Sequence, residues 1–158
     1  MKKYILIIVA IISIYCIACK DKKVEPHYDI VYFDLKDKPL GAIKNYIKGK
    51  WKMHYSSGGI AGPNFKNYYS NTFVEFIINP STGDSIKWYN DTAVYSNGNA
   101  IFNKAPKFSN NTDSVYEIKF IILPRSSTNW IADQIQKDTL IVGENAFESL
   151  TYFLTKVK

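Results

Sequence analysis

Gly49-Lys50-Trp51-Lys52-Met53-His54-Tyr55 is the stretch whose period decides the fold. Trp51, Met53 and Tyr55 alternate with Lys50, Lys52 and His54, and a period of two is the pattern of a half-buried β-strand. Upstream the period is helical. Leu40, Ile43, Tyr46 and Ile47 share one helical face, Pro39 is placed to begin a helix and Gly49 to end it. The spacing predicts a helix of one to two turns that feeds the first strand.

Downstream, turn residues punctuate short apolar runs. Further strands are expected at 72–78, 84–89, 92–96, 100–103, 114–123, 129–135, 139–143 and 150–157. Residues 56–71 read as a loop carrying Gly58, Gly59 and Gly62, and 104–113 as a polar loop. Asn97-Gly98 is the strongest hairpin signal, because both residues tolerate positive φ. About nine short strands with one helix predict an all-β, antiparallel sandwich or barrel.

The N-terminus carries a different message. Lys2 and Lys3 precede 15 uncharged, mostly aliphatic residues from Tyr4 to Ala18, and charge returns after Cys19 at Lys20. A membrane-spanning helix needs about 20 such residues, whereas the apolar part of a signal peptide needs roughly 7–15. Cys16-Ile17-Ala18-Cys19 resembles a bacterial lipobox, with small Ala18 before the cleavage point and Cys16 where Leu is usual. The resemblance implies a signal peptide over 1–18 and diacylglycerol on the thiol of Cys19. A charged tether and arm follow over 19–38. The expected location is the outer membrane, lipid-anchored, facing either the periplasm or the cell surface.

Composition narrows the chemistry. The chain is 158 residues long, 46% hydrophobic and 15% aromatic, enough for one full core and too apolar for a disordered chain. Cys16 and Cys19 are the sole cysteines, so the folded part is left without a thiol for disulfides, metals or nucleophilic attack. His27 lies in the tether and His54 on the polar face of its strand, which leaves no zinc site. Glu75 and Glu117 alternate with apolar neighbours and are expected to face solvent. No convergent ionisable set points to catalysis, and no cofactor or metal is expected. The +6 formal charge fits a role beside anionic lipid or simple solubility. Export argues against nucleic acid as a partner.

Ile47-Lys48-Gly49-Lys50-Trp51-Lys52, the Gly58-Gly59-Ile60-Ala61-Gly62 segment and the ending from Lys137 to an aromatic last strand resemble the lipocalin-like domains of Bacteroidota lipoproteins. The resemblance covers about residues 40–158 and places the domain at 39–158. It implies a small up-and-down barrel of about eight strands. Gly49 and Trp51 would stand at its closed end, with a basic residue, here Lys156, across the indole.

Two functions follow as expectations. An eight-stranded barrel is just wide enough to be filled by side chains or to hold one small ligand. If hollow, it would bind a small hydrophobic molecule through Tyr55, Phe76, Trp88, Tyr116 and Phe120. Residues 56–71 would then form a lid over the mouth bearing Phe65 and Tyr68. If solid, it would be a non-catalytic interaction protein of the envelope, with a protein partner the sequence does not name.

Overall fold

Residues 32–108, 110–124 and 126–158 are described by the structure, a computed structural model. The expected signal segment, Cys16, Cys19 and most of the expected tether lie outside the described residues. The elements are β1 (Phe33–Asp34), α1 (Leu40–Ile47), β2 (Gly49–Gly58), β3 (Lys66–Ile77), β4 (Ser85–Tyr89), β5 (Val94–Asn99), β6 (Ile101–Lys107), β7 (Asn110–Ile122), β8 (Ser126–Gln136), β9 (Thr139–Glu144) and β10 (Leu150–Lys156).

The strands pair in the order β5-β4-β3-β2-β10-β9-β8-β7-β6, and every described pairing is antiparallel. The sheet curls, and its two edge strands follow each other in the chain with only Ala100 between them. The first half of that segment pairs with β4 and the second with β7. Counted as one bent strand, β5 and β6 complete an up-and-down barrel of eight, in which β2 pairs with β10. A chain whose apolar residues alternate can bury only one face of each strand, and curling the sheet lets all those faces share one core.

The helix lies where its period placed it. Ile43 and Ile47 are buried in the core, and Tyr46 packs on Phe33 with ring centroids 4.5 Å apart. The arm belongs to the fold from Phe33 onward: β1 pairs with β8, Leu35 N donates to Asp133 O at 2.8 Å, and the Leu35 side chain is fully buried.

Three expectations are corrected. First, residues 56–71 are not a long loop: β2 runs to Gly58, β3 begins at Lys66, and Ser56 and Ser57 pair with Asn67 and Lys66. Lys, Asn and Ser looked loop-like by composition, but ladder pairing uses the backbone and leaves their side chains in water. Second, Asn97-Gly98 is not a hairpin. Both sit in β5 opposite Lys87 and Ile86, and Gly98 has no positive φ. The chain reverses earlier, at Asn90, whose Oδ1 accepts from Thr92 N at 2.9 Å and Ala93 N at 2.7 Å. Third, most of 104–113 belongs to β6 and β7 rather than to a loop.

A fourth correction concerns a single residue. The register between β2 and both its neighbours shifts at His54. One extra residue in a strand reverses the faces that follow it. Trp51 and Met53 point inward, but after the bulge the inward position falls to Ser56 and Tyr55 turns out. There it stacks on Phe153, centroids 4.4 Å apart, under the ammonium of Lys66.

Candidate functional site

Beside the end of α1, Trp51 is buried and its Nε1 donates to Ile47 O at 2.6 Å, a carbonyl that the end of α1 leaves without a helical partner. Lys156 Nζ lies 4.3 Å from the centroid of the Trp51 ring and donates to Lys48 O. Burial pulls the Lys156 pKa below the usual lysine value. Gly49 explains the approach. Its φ is +108°, and a Cβ there would meet Lys156 Nζ at 3.1 Å. The Gly-x-Trp spacing thus admits both the backbone turn and the ammonium.

The interior is occupied by aromatic rings. Trp88 and Trp130 stand 5.3 Å apart between centroids, Trp130 and Tyr152 4.9 Å, and Phe120 meets Trp130 edge-on at 4.9 Å. These are the separations at which aromatic pairs attract. Small residues face them across the ladder: Ser96 opposite Trp88 and Ser56 opposite Tyr152. The Tyr152 hydroxyl donates to Glu144 Oε1 at 2.8 Å. Burial, then the neighbouring carboxylate, drives its pKa far above the ordinary tyrosine value. The indole N–H groups of Trp88 and Trp130 are buried without an acceptor.

The barrel wall is parted at one place. β6 stays paired with β7 as far as Ile101 opposite Lys119. Beyond that point no backbone pairing between β5 and β7 is described, and just past β7 Leu123 N donates to Tyr95 O at 2.6 Å. Between lies a cleft of about 400 Å³ lined by Gly98, Ile101, Lys119, Phe120, Ile121 and Leu123, among others. Phe120 is buried, whereas Ile101, Ile121 and Leu123 are 53%, 60% and 50% exposed. These three exposed apolar side chains lie around one opening.

The expected ligand residues divide accordingly. Phe76, Trp88 and Phe120 are buried in the core and Tyr116 is packed against it. Tyr55 faces outward, Tyr68 pairs beside it and is 73% exposed, and Phe65 is exposed in the short β2–β3 connection. Phe65 and Tyr68 therefore do not form a lid over a pocket of Tyr55, Phe76 and Trp88. His54 is exposed and hydrogen-bonded to Thr155 Oγ1 at 2.7 Å. Glu117 corrects the expectation that it faces solvent: it is 8% exposed, held by the amides of Asn129 and Asn145. Asn145 also ties the β6–β7 and β9–β10 connections together, through Phe108 N and Pro106 O. The cleft itself was missed. Its signal was Gly98 within an otherwise strand-like run, a glycine the hairpin reading absorbed.

Fold and cleft together define a small antiparallel barrel, filled with aromatic side chains and parted in its wall. Compared with family models, curated proteins and solved structures, the chain matches none.

Proposed function

We propose that this chain is a non-catalytic lipoprotein of the outer membrane, anchored through acyl groups on Cys19, that binds a small apolar ligand in the cleft between β5 and β7. The supporting observation is the opening ringed by Ile101, Ile121 and Leu123 over Phe120. A lipocalin-like ancestry is supported by Gly49, Trp51 and Lys156 at the closed end. The ligand belongs in the wall rather than the interior, since Trp88, Trp130, Phe120 and Tyr152 occupy the latter.

The test is a titration of the protein without its acyl anchor, using an environment-sensitive apolar dye and tryptophan fluorescence. Saturable binding is expected. It should be lost in Ile121→Asp and kept in Phe65→Ala and Tyr68→Ala. With the fold intact, absence of any saturable binding would sink the cleft reading. It would leave the second reading, an envelope interaction protein with a solid barrel, which the filled interior favours.

A further inference from the structure

Gly98 lies inside β5, paired with Ile86. It has no positive φ, so backbone conformation does not demand a glycine. Space does not demand one either, because a Cβ built there would meet nothing within 4 Å. A glycine in a strand interior weakens the strand and often marks a bulge, a tight bend at a barrel corner, or a close approach of a ligand or another backbone. Gly98 lines the cleft, and the room above it is the room a side chain would have taken.

The rim adds a charge. Lys119 lines the same opening, is exposed, and has no carboxylate partner among the described residues. The cleft thus joins an apolar floor and walls to one cation at the edge. Its volume of about 400 Å³ lies toward the lower end of the roughly 300–1,000 Å³ typical of small-molecule sites.

We propose that the cleft holds an anionic single-chain amphiphile of the fatty-acid class. The hydrocarbon chain passes over Gly98 and against Phe120, between Ile101 and Ile121, and the carboxylate rests on Lys119. This rests on the cleft reading above and adds the headgroup and the class of ligand. An anionic headgroup fits this rim because a lysine ammonium attracts anions as a point charge, and a fatty-acid carboxylate is the simplest such group on a single hydrocarbon chain.

The experiment uses the acylated protein in phosphatidylcholine nanodiscs, with an environment-sensitive fluorophore on Asn97→Cys, an exposed position that lines the cleft. Laurate and dodecan-1-ol are the probes. Laurate should give a saturable response at least tenfold tighter than dodecanol. Lys119→Ala should remove that advantage, and Lys119→Arg should restore most of it. Gly98→Leu should abolish the response to both probes while leaving circular dichroism and the thermal midpoint intact, since its side chain enters open space. If the two probes bind equally and Lys119→Ala changes nothing, the carboxylate assignment is overturned and the cleft reading stands. If Gly98→Leu is folded and still binds laurate, the ligand sits elsewhere. If neither probe gives a saturable response, both proposals fall. A label already shielded by the nanodisc, and indifferent to both probes, would make the apolar rim a bilayer contact instead and overturn the proposal.

Discussion

Trp51 and Tyr152 show what single buried residues contribute to the barrel. Trp51 is buried beside the end of α1 and donates to its last turn, so its removal takes away packing and a capped carbonyl together. Trp51→Ala should cost about 3–5 kcal/mol, the range for truncating a large aromatic in a core. Urea unfolding measures it, and a loss below about 1 kcal/mol would make Trp51 peripheral. The Gly49-x-Trp51 spacing drew attention to it in the sequence. Tyr152 was not legible, since nothing in the sequence places Glu144 beside its hydroxyl. The folded state holds this phenol protonated, with a pKa raised from the ordinary 10.0. The unfolded chain releases the proton first as pH rises, so the associated stability is present below pH 10.0 and lost above it. Tyr152→Phe should cost about 1 kcal/mol near neutrality through the lost hydrogen bond. It should also flatten the decline in stability above pH 10.0, which denaturation on either side of that pH would show.

At the scale of elements, legibility followed periodicity and stopped where periodicity breaks. The helix, the alternation of Trp51 and Met53 and the long strand β7 announced themselves. The bulge at His54 did not, because an inserted residue changes every later face while leaving composition unchanged. Tyr55 was therefore assigned to the wrong side, and Asn71, with φ +46° in β3, marks the same irregularity from the partner strand. The turn before β5 is a comparable case. Asn-Gly is a potent hairpin signal, but the Asn90 side chain forms its own turn seven residues earlier, accepting from Thr92 Oγ1 as well as from two backbone amides. Asn90→Ala should therefore destabilise the domain by about 1–2 kcal/mol, since it strands those donors. Asn97→Ala, on the exposed face of β5, should change stability by less than about 0.5 kcal/mol. Thermal unfolding of the two variants distinguishes the turns, and the reverse ranking would return the hairpin to residues 97–98.

At the scale of the whole molecule, fold class was legible because short strands, turn signals and a single helix admit few architectures. Whether the barrel was hollow was not. Interior volume depends on which large rings face which small residues, here Trp88 against Ser96 and Tyr152 against Ser56, and that is a matter of register between distant segments. The proposed attachment to a membrane belongs to the same scale. No helix among the described residues is long and apolar enough to cross a membrane, and the proposal places the attachment at Cys19. From Cys19 to Tyr32 the chain can extend at most about 45 Å, so an acylated Cys19 keeps every face of a small barrel within reach of the lipid surface. Several acyl chains together, each contributing about 0.8 kcal/mol per buried methylene, hold far more firmly than one. Cys19→Ser should therefore leave an unprocessed precursor that carries no lipid, while Cys16→Ser should be processed like the parent. Mass spectrometry of the membrane fraction reads both outcomes. A mature N-terminus anywhere other than an acylated Cys19 would remove the anchor from the proposal, while the cleft, which rests on the folded strands, would be tested as before.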